Sequence, residues 1–482
     1  MIADYLSKVR QGQIDLKEFL HKVLDECKNI DGKYHYLNFL CTEKAIGEAE
    51  SVSLSIKEKK SGKLSGLLVS IKDIICVKGI ESTAGSKILK GYTPLFDATV
   101  VERLRNEDAI IIGKTSCDEF GFGSFNTNVG IGFRIPKNPL DIERVTGGSS
   151  GGSAGLTKAL SRKNITHVSI CTSTGGSIEC PASFCGVVGF CPTYGRVSRN
   201  GLISYANSLD KIGITAPHAS DIKPVFEVIA GYDERDSSSL KEPLDTSDTI
   251  LEHKKKLRIG VIREAMDAII DAHIKDAMDK TLEELKVEGH FIEDVHLPKT
   301  FKYGVATYYI IATSEASTNL SCLSGLRYGQ ESSVKDKSFN EYFSEVRSQN
   351  FGLESKRRIM LGTFARMSGY RDAYYIKATK IRTLIIDEYK RLFKKYDILL
   401  SPTMPILAPK FSDVKNMSAL ENYNMDVLTV GPNLAGIPHA TIPIHENEKY
   451  SIGMMAMSDH LQDIMLLDFL CRLEASDAKR DT

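Results

Sequence analysis

Residues 146–155 read TGGSSGGSAG, and residues 172–178 read TSTGGSI. Glycine runs of this kind allow tight turns that bring backbone N–H groups close to a ligand. Phosphate binding is a weak interpretation of these turns. The phosphate-loop pattern needs a lysine after its last glycine, where this chain has Ser153, and the run Gly121-Phe122-Gly123 lacks the later glycine of a dinucleotide motif.

Acyl transfer is the alternative interpretation of the second turn. A serine that follows a Gly-Gly pair, as Ser177 does, can present its hydroxyl to a substrate carbonyl. Backbone N–H groups of the same turn can stabilise the oxyanion that develops. The groups predicted to do so belong to Thr174, Gly175, Gly176 and Ser177 itself.

A serine nucleophile needs a base, and histidine is the usual one. His167 and His218 flank the serine-rich region, but neither lies in a loop of special composition, so both are predicted to be structural. Lys72 follows directly on the apolar run 67–71, a predicted strand. It is either an edge-strand lysine or a buried base, because burial disfavours the charged amine and lowers its pKa.

A lysine base with a serine nucleophile is a known variant of the catalytic triad. Ser149, in the first glycine-rich turn, would carry the proton between Ser177 and Lys72. The carboxylate of Asp73 would oppose a lowered lysine pKa if it lay close. Strand alternation points its side chain to the opposite face, so little contact with Lys72 is expected.

Composition narrows the class of protein. Lysine plus arginine equals aspartate plus glutamate at 62 each in 482 residues, whereas a chain that bound nucleic acid alone would show a basic excess. The basic run His253–Lys256 is predicted to be a solvated turn.

No apolar run reaches the ~18 residues of a membrane span, and residues 1–18 do not resemble a signal peptide. Ten cysteines without a CxxC pair predict reduced thiols, no metal site and a cytoplasmic location.

Short apolar runs alternate with glycine-rich turns and helical stretches from residue 64 to about 232. This alternation predicts the α/β class, with helices on both faces of a sheet. Residues 1–60 are predicted to be a helical segment and 61–482 a single domain with a mostly helical insertion at about 300–395. Residues 237–248 are polar and aperiodic, which predicts a surface loop or a linker.

Three separated motifs resemble the amidase signature family and occur in its order: Lys72, residues 147–153 and residues 175–177. Further stretches are similar to the tRNA-dependent amidotransferase branch of that family, namely 184–190, 192–199, 207–213, 314–320 and 356–364. The resemblance extends from about residue 31 to about residue 457. It implies the amidase-signature fold, a large mixed β-sheet surrounded by helices.

The resemblance also implies roles for individual residues. Ser177 is similar to the nucleophile that forms the acyl-enzyme, Ser149 to a bridging serine with a cis backbone bond, and Lys72 to the base. In the amidotransferase branch, a tyrosine, an arginine and an aspartate hold the amino-acid end of glutamine, a zwitterion that needs both charges. The matching residues are Tyr309, Arg358 and Asp426, with Tyr308 and Arg357 as close competitors.

The implied activity is hydrolysis of glutamine, with the ammonia used by a complex to convert Glu-tRNA(Gln) to Gln-tRNA(Gln). Subunits B and C are the implied partners. No cofactor is expected on this chain, and ATP, magnesium and the tRNA are expected on a partner subunit. Two other hypotheses stay open: a stand-alone amidase for another small amide, and a scaffold that has lost catalysis. The retained Lys72, Ser149 and Ser177 disfavour the scaffold.

The sequence departs from the family pattern near the predicted nucleophile. Most members have an aspartate where Ser173 stands and an arginine where Glu179 stands. The stretch between Ser149 and Ser177 is also longer than usual, with residues 162–164 as the insertion. These changes affect the hydrogen bonds expected around the nucleophile and leave the three predicted catalytic residues in place.

Overall fold

The structure is a computed structural model that describes residues 1–246 and 256–480, with side chains described up to residue 476. Its strands, numbered in chain order, are β1 (Leu37–Leu40), β2 (Leu68–Lys72), β3 (Ile110–Thr115), β4 (His167–Ser173), β5 (Val188–Cys191), β6 (Lys211–Ala216), β7 (Arg258–Ile262), β8 (Phe291–Val295), β9 (Ile398–Pro402), β10 (His439–Glu446) and β11 (Ser451–Met457). They form one mixed sheet in the order β1-β3-β2-β4-β6-β5-β10-β11-β9-β7-β8.

The α-helices of the described ranges surround this sheet. They are α1 (Ile2–Arg10), α2 (Leu16–Tyr34), α3 (Thr42–Lys57), α4 (Thr99–Asn106), α5 (Gly151–Ser161), α6 (Glu179–Cys185), α7 (Ala219–Ile229), α8 (Arg263–Asp267), α9 (Ala272–Val287), α10 (Pro298–Asn319), α11 (Phe339–Asn350), α12 (Leu353–Arg366), α13 (Lys377–Phe393), α14 (Phe411–Asn416), α15 (Ala419–Asn424), α16 (Val430–Ala435) and α17 (Asp463–Arg480). One hydrophobic core joins the sheet to helices from both ends of the chain, including Leu20 of α2 and Leu466 of α17.

Strand β2 lies inside the sheet, between β3 and β4, and runs parallel to both. All of its residues are buried, as expected where helices cover both faces of a parallel sheet. Parallel strands end at the same sheet edge, so Lys72 at the end of β2 lies beside residues 172–173 at the end of β4. The edge-strand interpretation of Lys72 is therefore wrong.

Helix α5 begins directly after the first glycine-rich turn, and two of its glycines explain how closely it packs. A β-carbon on Gly152 would lie 2.5 Å from the carbonyl oxygen of Ser116, just after β3, and one on Gly155 would lie 2.3 Å from the ring of Tyr36. Neither position has room for a side chain. This close approach holds Ser149 at the same sheet edge as Lys72.

The predicted helical segment 1–60 contains α1, α2 and α3, but it also contains a strand. β1 pairs antiparallel with β3 and forms one end of the sheet order. Asp15 is the N-cap of helix α2, and its side chain accepts a hydrogen bond from Glu18 N–H at 3.0 Å. The segment is therefore part of the main fold. The stretch 300–395 is mostly helical, with α10 packed against α12 and α13.

Parts of two predicted segments, residues 247–248 of the polar loop and residues 253–255 of the basic run, lie outside the described residues. Within the described ranges, no helix is both long and apolar enough to cross a membrane. All ten cysteines are free thiols, and eight of them are buried.

Candidate active site

The amine of Lys72 is buried at the sheet edge and surrounded by oxygens. Its Nζ lies 2.8 Å from Ser149 Oγ and 2.9 Å from Ser150 Oγ. It also lies 3.0 Å from Thr172 Oγ1 and 3.3 Å from the carbonyl oxygen of the same residue. A charged amine has only three protons for these four oxygens, whereas a neutral amine could accept a proton from one of the hydroxyls.

Burial lowers the pKa of Lys72, and the more distant Cys117, Cys171, Asp118 and Asp210 oppose that shift only in part. The adjacent Asp73 is not among these groups, because its carboxylate forms a buried ion pair with Lys114 Nζ at 3.2 Å. The expectation from strand alternation is confirmed. No buried carboxylate directly contacts the amine of Lys72 among the described residues, so a neutral form is accessible.

The peptide bond between Gly148 and Ser149 is cis, in agreement with the family resemblance. A β-carbon on Gly148 would lie 2.2 Å from Asp118 Oδ2 and 2.5 Å from the backbone nitrogen of Asn126. The turn therefore requires glycine at this position. Asp118 accepts hydrogen bonds from the N–H groups of Asn126 and Asn128, and burial raises its pKa to about 6.

Ser177 lies in the turn between β4 and α6, and only 8% of it is exposed. Its carbonyl oxygen accepts a hydrogen bond from Ser150 N–H at 3.1 Å, which joins the two glycine-rich turns. The hydroxyl of Ser177 makes no hydrogen bond within residues 1–246 and 256–480. The structure thus places a free hydroxyl on the turn next to the one that carries Ser149.

The predicted oxyanion donors fall into two groups. The N–H groups of Thr174 and Gly175 form no hydrogen bond in the described part of the chain and are available to a ligand. The N–H groups of Gly176 and Ser177 both donate to Ser173 Oγ, at 3.2 and 3.0 Å. The N–H groups of Gly176 and Ser177, both predicted as oxyanion donors, are therefore already engaged, and each can serve only if it leaves that bond.

Arg358 lies in a cage of aromatic rings near this turn. Its Cζ is 5.2 Å from the ring centroids of Phe122 and Tyr309, 5.4 Å from that of Tyr423 and 5.7 Å from that of Tyr205. Such rings favour a cation over their faces. Arg358 Nε donates to Glu354 at 2.8 Å and Nη1 to the Tyr205 hydroxyl at 2.7 Å. Its Nη2 donates to none of the described residues, so it is left for a ligand.

The structure distinguishes between the alternative residues that were predicted for the substrate site. The side chain of Arg357 is 40% exposed, whereas that of Arg358 is 3% exposed. The Tyr309 hydroxyl donates to Asp426 Oδ2 at 2.6 Å, while Tyr308 packs against the nucleophile turn, where a β-carbon on Gly175 would lie 2.4 Å from its ring. The structure therefore brings the three predicted binding residues into one cluster.

Asp426 is connected to the nucleophile turn through one residue. The backbone N–H of Thr429 donates to the Asp426 carbonyl, and the Thr429 hydroxyl donates to the Gly175 carbonyl at 2.6 Å. Burial raises the pKa of Asp426 to about 6, against the hydrogen bond from Tyr309. A cleft of about 550 Å³ opens beside this cluster, lined in part by Ser124 and Arg358.

Comparison with known proteins identifies the family. The family model described as amidase matches residues 18–467, which is most of the chain. The chain belongs to the amidase family.

Similarity to individual proteins is also extensive. This amidase-family chain is 43% identical to the A subunit of the glutamyl-tRNA(Gln) amidotransferase of Archaeoglobus fulgidus, over 97% of each chain. It is 40% identical to the corresponding protein of Saccharolobus solfataricus, over 99% of this chain and 97% of that one. A crystal structure of the corresponding protein from Thermotoga maritima superposes with a TM-score of 0.71 at 35% identity, covering 86% of this chain and 84% of the other. The amidase-signature fold predicted from the sequence is confirmed.

Four further residues of this amidase site were not predicted from the sequence, and the local pattern around them indicates their role weakly or not at all. Ser150 is adjacent to Ser149 and Glu354 lies one helical turn before Arg358, a spacing typical of paired side chains. Tyr205 and Tyr423 come from distant loops and helices and have no such pattern.

The two histidines behave as predicted: His167 is fully buried and within hydrogen-bond distance of Ser70 and Thr157, and His218 pairs with Glu474.

Proposed function

We propose that this amidase-family chain hydrolyses glutamine at Ser177 and supplies the ammonia to a tRNA-dependent amidotransferase. The observation that carries the proposal is a buried cation and a buried carboxylate in one cluster beside the nucleophile turn, Arg358 and Asp426. Free glutamine carries a carboxylate and an ammonium, and this pair of charges matches both. Relatives about 40% identical over nearly their full length are named as amidotransferase subunits, which favours this function over a stand-alone amidase.

The proposed reaction begins with a neutral Lys72. The free hydroxyl of Ser177 first turns to hydrogen-bond Ser149. The amine then takes a proton from the Ser149 hydroxyl as Ser149 takes one from Ser177, and Ser177 attacks the side-chain amide carbonyl of glutamine. The N–H groups of Thr174 and Gly175 stabilise the oxyanion. The proton then returns through Ser149 to the leaving nitrogen, which departs as ammonia. Water attacks the glutamyl ester, its proton passes to Lys72 through Ser149, and that proton returns to the Ser177 oxygen as glutamate leaves.

Substrate binding uses the Arg358 cluster. The free Nη2 of Arg358 would bind the α-carboxylate of glutamine, and ionised Asp426 would bind its ammonium, with Tyr309 holding the aspartate in place. The aromatic cage keeps the guanidinium fixed and dry, which strengthens both contacts. This clamp favours a free amino acid over a simple amide, because only the amino acid has a carboxylate for the free Nη2 of Arg358 and an ammonium for Asp426.

Subunits B and C, ATP, magnesium and the tRNA belong to the same proposal. The names of the relatives supply the tRNA substrate and imply a complex with other subunits. We propose that a partner subunit binds ATP, magnesium and the tRNA and activates the glutamyl group. This division requires ammonia to pass from Ser177 to the partner.

The test is substitution of the nucleophile in the assembled complex. Ser177→Ala should abolish glutamine-dependent tRNA amidation and retain amidation driven by added ammonium, because only the ammonia source is lost. Ser183→Ala is the matched control, since Ser183 is a buried serine of α6 whose oxygen accepts from Gly453 N–H, away from the site. Failure of ammonium to support the Ser177 variant in an intact complex would contradict the proposal. Hydrolysis of simple amides with no action on glutamine would favour the stand-alone amidase.

A further inference from the structure

The two positions that depart from the family pattern contact each other beneath the nucleophile turn. Ser173 Oγ donates to Glu179 Oε2 at 2.8 Å and accepts from the N–H groups of Gly176 and Ser177. A hydroxyl has one proton and two lone pairs, so this contact set uses its full capacity. The direction of one O–H bond therefore decides whether both N–H groups are held.

Glu179 fixes the direction of the Ser173 O–H bond, because both of its carboxylate oxygens accept hydrogen bonds. Oε2 accepts from Ser173 and from Ile178 N–H at 3.0 Å, and Oε1 accepts from Asn433 Nδ2 at 2.9 Å. His439 Nε2 also lies within hydrogen-bond distance of Oε1. Burial raises the pKa of Glu179, but His439 and Lys211 outweigh it and bring the pKa to about 2. An ionised carboxylate can only accept, so the Ser173 proton must point toward it.

His439 anchors the far side of this network. Its Nδ1 lies 2.9 Å from the Ile437 carbonyl oxygen and its Nε2 faces Glu179, so both ring nitrogens face oxygen acceptors. The ligand atoms of Glu179, Cys191 and His439 lie within 4.8 Å of one another, a spacing that a metal ion could also use. The carboxylate is already fully engaged, and the charge of Lys211 beside it opposes a cation. We therefore interpret this cluster as a hydrogen-bonded network and not as a metal site.

We propose that Glu179, acting through the hydroxyl of Ser173, is a positioning residue for Ser177. The pair holds the two N–H groups of Gly176 and Ser177 on the inner side of the turn. The turn then leaves its other two N–H groups, those of Thr174 and Gly175, and the Ser177 hydroxyl without a hydrogen-bond partner among the described residues. The inference rests on the proposed function only in that Ser177 is the nucleophile.

The pair touches the turn and not the substrate clamp, which separates two kinetic effects. Loss of the pair should lower kcat, because the nucleophile and the oxyanion donors lose their geometry. KM for glutamine should change much less than kcat, since Arg358 and Asp426 keep their own side-chain contacts. A misplacement of about 1 Å costs roughly 100-fold in rate, so a fall in kcat of about 10- to 100-fold is expected.

The experiment compares Ser173→Ala, Ser173→Thr, Glu179→Met and the double variant Ser173→Ala/Glu179→Met in the full-length chain. Threonine keeps a hydroxyl, and methionine keeps much of the glutamate shape without an acceptor. Glu388→Met is the matched control, because Glu388 is a buried carboxylate that accepts from the N–H groups of Lys299 and Thr300 away from the site. Thermal unfolding shows which variants are folded.

Two activities are measured on each folded variant. The first is glutamine hydrolysis in the assembled complex, resolved into kcat and KM. The second is the rate at which a small sulfonyl fluoride labels Ser177, which needs the nucleophile but no glutamine. Ser173→Ala should slow both by about 10- to 100-fold, Ser173→Thr should recover most of the rate, and the double variant should be no slower than Glu179→Met alone.

Several results would overturn the inference. Unchanged kcat and labelling in folded Ser173→Ala would show that the hydroxyl does not position the turn, and this remains testable if Glu179→Met does not fold. Multiplying effects in the double variant, a raised KM with normal kcat, or an equal loss in Glu388→Met would likewise reject it. If the wild-type complex ignores glutamine but labelling still depends on Ser173, the proposed function fails while the positioning role stands.

Discussion

Replacement of Lys72 is the most stringent test of the proposed mechanism. Lys72→Met removes the amine and keeps an unbranched apolar chain of similar length, while Lys72→Arg keeps a positive charge that cannot accept a proton near neutrality. The site is fully buried and leaves little room for the larger guanidinium. Both variants should fail as bases, but only the arginine variant retains the charge.

The structure sets the size of the effect. A lysine with the ordinary pKa of 10.5 would be neutral in about one molecule in a thousand at pH 7.5. Burial lowers the pKa of Lys72, so a much larger neutral fraction is available for catalysis. Loss of a positioned base costs about 10²- to 10⁴-fold. We therefore expect the acylation rate to fall by about that factor in Lys72→Met and by a similar factor in Lys72→Arg.

The assay is the rate of Ser177 labelling by a sulfonyl fluoride as a function of pH. This reagent has no ammonium, so its rate does not depend on Asp426. The neutral amine is present above the folded pKa of Lys72, so the wild-type rate should rise with pH through one ionisation below 10.5 and be lost as pH falls. Substantial labelling of Lys72→Arg, or a rate independent of pH, would refute the role of Lys72 as the base.

Two further predictions concern the substrate clamp. Arg358→Ala should raise KM for glutamine by a factor that corresponds to about 1.5–3 kcal/mol, the contribution of a hydrogen bond to a charged group. Replacement of the more exposed Arg357 by alanine should change KM little. Steady-state kinetics of both variants test this, and the opposite order of effects would assign the role to Arg357. Asp426 has a raised pKa of about 6, so its carboxylate forms only above that pH, and KM for glutamine should fall as pH rises through about 6. A KM that shows no such step in the wild type, or keeps it in Asp426→Asn, would remove Asp426 from ammonium binding.

Local patterns locate the elements that form the centre of the sheet. The apolar pattern of residues 258–262 predicts a strand, and this prediction has the same bounds as β7. The predicted strand 67–71 corresponds to β2 within one residue at each end. Residues 165–170 also predict a strand from their apolar pattern, but this prediction places β4 two to three residues too early, because polar Thr172 and Ser173 continue the strand. Their pairing with β6 holds them in the ladder, and that pairing is not visible in the local sequence. The short β1 has too few residues to distinguish it from the helices around it.

The chemistry of the site is predictable where one short motif carries it. Lys72, Ser149 and Ser177 each lie at a strand end or a glycine-rich turn, and these features can be recognised in a sequence. The Arg358 cage is not predictable in detail, because Arg358 and Tyr205 are 153 residues apart and meet only in the fold. The engagement of Gly176 N–H by Ser173 is also invisible in the sequence, since it depends on which way a single hydroxyl points.

The most direct test of the central claim is to trap the acyl-enzyme. The assembled complex would be mixed with glutamine, quenched in acid within the first turnover and digested for peptide mass spectrometry. The account predicts the added mass of one γ-glutamyl group on the peptide that contains Ser177, and its loss in Ser177→Ala. A γ-glutamyl group on any other residue, or glutamine hydrolysis that persists in Ser177→Ala, would contradict the claim that Ser177 is the nucleophile.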